Sequence, residues 1–137
     1  MPRFINFHKR RAVEWVSAPD VKKRVSFLAD TLDIDWIKKS RIFCFRSQNA
    51  QTRAFARIWG FSKIWQKALK QEAAYVIEVI SEKYDRLPPF EQDKVLLHEI
   101  THIPRNFSGS LLPHIRRGKR SFEDKVRTLI ALYNSRR

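Results

Sequence analysis

Val21, Val25, Leu28, Ala29 and Leu32 recur at intervals of four, three, one and three, which stacks them on one face of a helix. Ser17 or Asp20 stands where a helix cap belongs, and the pattern fades between Asp33 and Asp35. The periodicity then shortens. Arg41–Arg46 is a run of aromatic and β-branched residues closed by Ser47, Gln48 and Asn49, which predicts a strand. Ala54–Phe61 predicts a second, with Gly60 marking a bulge or a close approach of backbones. Residues 62–71 fit neither period. Ala74–Ser81 carries the strongest strand signal, two β-branched pairs around the single acid Glu78.

Pro88-Pro89 suits the opening turn of a helix, predicted over Phe90–Ile103 and stopped by Pro104. Residues 105–120, with Gly109, Pro113 and Gly118, read as a long loop. Ser121 followed by Glu123 and Asp124 resembles a capped first turn. Val126, Leu129, Ile130 and Tyr133 give the stripe of a last helix. Helix, about three strands, helix, loop and helix make an α+β chain. Residues 1–18, with Lys9, Arg10 and Arg11, read as a basic N-terminal arm, and 19–137 as a single domain.

Composition narrows the class. A length of 137 residues at 43% hydrophobic content matches one domain with a core and excludes a disordered basic tail. A lone cysteine, Cys44, excludes a disulfide framework and a multi-cysteine zinc finger. With neither a membrane-length apolar run nor the apolar core of a signal peptide, the expected location is cytoplasmic.

The formal net charge of +14 attracts polyanions. Residues 36–71 hold nine Lys/Arg and no acid, interleaved with Trp36, Phe43, Phe45, Phe55, Trp59, Phe61 and Trp65. Such a mixture suits weak nucleic-acid association, cations on phosphates and rings under bases. The alternation favours a plainer expectation, a sheet whose aromatics face the core and whose cations face water.

The chemistry concentrates in His98-Glu99-Ile100-Thr101-His102, an H-E-x-x-H sequence inside a predicted helix. Spacing of four puts both imidazoles on one face, one turn apart, where they can grip one zinc ion. Glu99 is directed to the side of the metal, placed to take a proton from an activated water. Val95, Leu96, Leu97, Ile100 and Ile103 make the helix a buried, rigid platform. Catalytic zinc takes three protein ligands, and His114 trails the motif in the following loop. Glu123 and Asp124 are alternative third ligands, although dipole compensation at a helix start also explains them. Glu78 or Glu82 could hydrogen-bond a ligand histidine, or simply be solvated. Tyr84 and Tyr133 are candidates to assist at an oxyanion. His8 has no partner in the sequence.

The stretch His98-Glu-Ile-Thr-His-Ile-Pro-Arg-Asn-Phe-Ser-Gly-Ser-Leu-Leu-Pro-His114 resembles a phage and archaeal metallopeptidase family, a small zincin group. Its pattern runs H-E-x-x-H-I-x-x-x-F-x-G-x-L-x-x-H, followed by basic residues and a glycine, here Arg116, Arg117 and Gly118. Ala56–Gly60, Ile64–Leu69 and Tyr75–Glu82 share the likeness, which covers about residues 41–120. The resemblance implies Zn2+ bound by His98, His102 and His114, with Glu99 as general base. It implies a minimal zincin fold like the SprT-type proteases: a small, mostly antiparallel sheet, a packing helix and the metal-bearing helix. The function expected is a zinc-dependent metallopeptidase acting on protein or peptide substrates, which in zincins lie along an edge strand. The alternative is a basic, nucleic-acid-associated binding protein with a structural zinc site.

Overall fold

A computed structural model describes residues 11–114 and 122–136. The chain runs through strand β1 (Glu14–Ser17), helix α1 (Pro19–Thr31), a 3-10 turn (Lys39–Arg41), β2 (Ile42–Gln48) and β3 (Ala56–Gly60). It continues through α2 (Lys63–Leu69), β4 (Tyr75–Ile80), α3 (Ser81–Tyr84), α4 (Pro89–Thr101) and α5 (Phe122–Arg136). The α+β class holds. One open sheet has the order β1-β2-β4-β3, so β1 and β3 are its edges. β1 is antiparallel to β2 and β3 antiparallel to β4, whereas β2 and β4 run parallel.

Alternation in β4 divides the molecule. Tyr75, Ile77 and Val79 point toward α1 and α4 and are almost wholly buried, together with Ile42 and Cys44 of β2. Val21, Val25, Leu28 and Ala29 of α1 and Leu96, Leu97 and Ile100 of α4 complete this core, as their spacing predicts. Neither expected cap serves α1. Its cap residue is Ala18, with Pro19 in the first turn, where the fixed proline φ pre-forms a helix start. Asp20 is drawn off instead to Arg46, whose guanidinium donates to it at 2.6 and 2.9 Å. Asp93 of α4, 2% exposed, accepts two hydrogen bonds from Arg24 of α1 at 2.7 and 2.6 Å and one from Tyr133 of α5 at 2.5 Å. Three helices are thereby tied at one carboxylate.

Three features depart from expectation. Residues 14–17, within the segment read as an arm, form a fourth strand, which is exposed throughout and so carries no hydrophobic alternation to betray it. The ambiguous stretch 62–71 contains α2, whose seven residues include no buried side chain. The aromatics of the basic segment do not all turn inward. Phe43, Phe55, Trp59 and Trp65 are each more than 40% exposed. On the side of the sheet away from the helices, register places Trp15, Phe43, Phe45, Val76, Trp59 and Glu78 together. No helix among the described residues is long and apolar enough to cross a membrane.

Candidate metal centre and its cleft

α4 carries His98, and His102 follows one turn on as the residue that caps its C-terminus, on a helix held rigid by its buried Leu96, Leu97 and Ile100. The third imidazole arrives by way of the loop after α4. Phe107 and Gly109 both take positive φ there, 46° and 96°. Gly60 at the end of β3 lies so close to Gly109 that a methyl group on either would strike the other segment's backbone. This is the close approach expected at Gly60. Tyr75 reaches across from β4: its hydroxyl accepts from the Gly109 amide at 2.8 Å and donates to the Ser110 carbonyl at 2.7 Å. Gln66 of α2 donates to the carbonyls of Phe61 and Ser108 at 2.7 and 2.9 Å. Leu112 then closes the loop on α4, its amide donating to the His102 carbonyl at 2.8 Å.

This loop brings His114 to the helix. The ligand-capable atoms of His98, His102 and His114 all lie within 4.8 Å of one another, and the Nε2 atoms of His102 and His114 are 2.9 Å apart. His102 Nδ1 stands 2.6 Å from the Leu112 carbonyl, which only accepts, so Nδ1 carries the proton and Nε2 keeps its lone pair toward the cluster. Such a backbone anchor is what orients a metal-binding imidazole. Burial and the neighbouring imidazoles push the pKa values of His98 and His102 down, favouring the neutral form a metal requires. Two nitrogens bound to tetrahedral zinc are ~3.4 Å apart, given bonds of about 2.0–2.1 Å. The spacings of the trio, 2.9 Å for one pair and none above 4.8 Å, bracket that separation, so the three could hold a metal ion. Phe122, at the start of α5, stacks on His102 and His114 with ring centroids 4.2 and 4.5 Å away, and meets His98 edge-on.

Glu99 is 7% exposed, and burial pushes its carboxyl up to about 8. It lines a cleft of about 400 Å³ with His98, Phe55, Ala56, Val95 and Val126. The cleft therefore runs between α4, α5 and the entry to edge strand β3. Glu123 is close enough for its charge to act on His98, and Asp124 pairs with Arg127 at 2.7 Å; neither belongs to the histidine cluster.

The remaining candidates fall elsewhere. Glu78 hydrogen-bonds Trp15, Arg57 and Trp59 on the open side of the sheet, and Glu82 accepts from the Asn49 amide, so neither meets a cluster histidine. Tyr133 is engaged by Asp93 and Tyr84 is buried at 3% exposure. His8 and Ser121 lie outside the described residues. The sequence reading missed Tyr75, Gln66, Leu112 and Phe122. Gly60 was a partial signal for the loop's seat, whereas a backbone carbonyl such as that of Leu112 leaves none.

Comparison with known proteins adds one positive finding. A family model described as Putative phage metallopeptidase matches residues 13–128. Neither the search of curated proteins nor that of solved structures found a match.

Proposed function

The chain belongs to the family described as Putative phage metallopeptidase, and from that premise we propose a zinc-dependent peptidase in which Glu99 is the general base. The family implies a metal and a protein or peptide substrate. His98, His102 and His114 would hold the ion, which supplies Lewis acidity toward a carbonyl and acidifies water when bound. The observation that carries the reading is Glu99, a carboxylate buried beside His98 and lining the same cleft as the edge strand.

The chain's own groups have separate tasks. Leu112 fixes the tautomer of His102 and so aims its lone pair. Burial alone would keep Glu99 protonated near neutral pH, and the charge of a bound dication would draw its pKa back down. The ionised carboxylate then takes the proton of the attacking water and passes it to the leaving amine. β3 pairs only on its β4 side among the described strands, leaving its outer edge to align an extended peptide by backbone hydrogen bonds. The apolar Phe55, Val95 and Val126 beside Glu99 suit an apolar substrate side chain near the scissile bond. Nucleic-acid association is a separate proposal, because its surface lies on the opposite side of the sheet.

Glu99→Gln tests the assignment. The variant is expected to fold and bind zinc as the parent does, with peptide hydrolysis reduced by at least about 100-fold, the lower end of a general base's contribution. Undiminished hydrolysis by that variant removes Glu99 from the reaction. A parent chain that binds zinc but cleaves no unstructured peptide favours the structural-zinc reading instead.

A further inference from the structure

The open side of the sheet combines features that the peptidase reading does not use. Trp15 and Trp59 are 56% and 51% exposed, yet neither indole is loose. Both donate their N–H to one carboxylate, Trp59 to Glu78 Oε1 at 2.8 Å and Trp15 to Oε2 at 3.3 Å. Arg57 adds two more hydrogen bonds to Glu78, at 2.8 and 3.2 Å, and its guanidinium lies over the Trp59 ring. A fully buried acid thus orients two tryptophan rings that face solvent.

Beside them is a slot. Phe43 of β2 and Trp59 of β3 both pair in register with Val76 of the intervening β4. Two strand spacings hold their backbones roughly 10 Å apart. Phe43, Trp59 and Val76 line a recess of about 280 Å³, and Arg41 sits at its margin over the Phe43 ring. No helix among the described residues covers it. The segment that supplies Phe43 and Trp59, residues 36–71, is one-sided in charge, and its Arg41 lines the recess. Of the nine cations between residues 36 and 71, Lys38, Lys39, Arg46 and Arg57 have acidic partners, whereas Arg41, Arg53, Lys63, Lys67 and Lys70 form no salt bridge among the described residues.

We propose that this face binds single-stranded nucleic acid, a base entering the slot between Phe43 and Trp59 while the uncompensated cations meet the phosphates. Flat rings accept any base, and cations beside them, here Arg41 and Arg57, follow any backbone. A duplex cannot insert a stacked base into the slot, so single strands are preferred over double strands of equal charge.

The experiment uses the full chain, a fluorescein-labelled oligothymidylate and anisotropy at several salt concentrations, with the metal chelated to keep it independent of peptidase activity. Binding is expected to fall steeply with salt. Phe43→Ala and Trp59→Ala are each expected to weaken it roughly 10- to 100-fold. Trp59→Phe keeps a ring and should retain most of the affinity, which separates stacking from collapse of the face. Trp65→Ala, an equally exposed ring on α2, should bind as the parent does. The proposal fails if the parent binds no oligonucleotide at low salt, or if both alanine variants bind normally. It fails equally if the parent self-associates in light scattering and Phe43→Ala abolishes that association, since the face would then join two copies of the chain.

Discussion

At the residue scale the three imidazoles are not equivalent. His98 stands on a rigid helix and His102 caps its end, whereas His114 is exposed and depends on a loop. Replacing His98 or His102 with Ala is expected to abolish stoichiometric zinc, read by metal analysis of the purified protein. His114→Ala is expected to retain weaker binding. Normal zinc in His114→Ala, lost in Glu123→Ala, would transfer the third position to the acid. The spacing of His98, Glu99 and His102 is legible in sequence because one helical turn relates them, a purely local relation. The arrival of His114 was written in the motif's family likeness, not in any local period. Its physical cause is the pairing of His102 with both backbone groups of Leu112.

At the scale of elements, legibility followed periodicity. α1, α4 and the strands through Ile42–Gln48 and Tyr75–Ile80 show an apolar stripe or a β-branched run because each buries a face. β1 and α2 bury none, so their positions were set by pairing and by Gln66 rather than by pattern. The loop between α4 and His114 rests on one hydroxyl in particular. Tyr75→Phe leaves the apolar ring in the core but removes the bonds to Gly109 and Ser110. Loss of a supporting partner typically costs a metal site ~10–100-fold in affinity. A drop near the lower end is expected in a chelator competition assay with the fold intact by circular dichroism. Unchanged affinity would mean that Gln66 and the Gly60–Gly109 contact suffice.

For the whole molecule, acid sensitivity should centre on Glu78. Burial alone raises its pKa, but the hydrogen bonds from Arg57 and Trp59 overcome that and hold the carboxyl at about 2, below its ordinary 4.5. Since the folded pKa is the lower one, the stabilisation is complete above pH 4.5 and is lost as pH falls toward 2. It amounts to ~3 kcal/mol. Urea unfolding of the parent is therefore expected to weaken across that window more steeply than that of Glu78→Gln. Parallel pH profiles would show that Asp20 and Asp85, both held low by Arg46, dominate instead. The parallel pairing of β2 with β4 bears on something else, the order of events as the chain folds. Residues 49–74 must loop out before Ile42–Ser47 can find Tyr75–Ile80, and that closure is slow compared with winding a helix. Two of the three imidazoles are juxtaposed as soon as α4 winds. The third waits for Tyr75 and Gly60 to be in place, because both seat its loop. A metal held by all three would then arrive as a latch on a nearly finished structure, lengthening the life of the native state without hastening its formation.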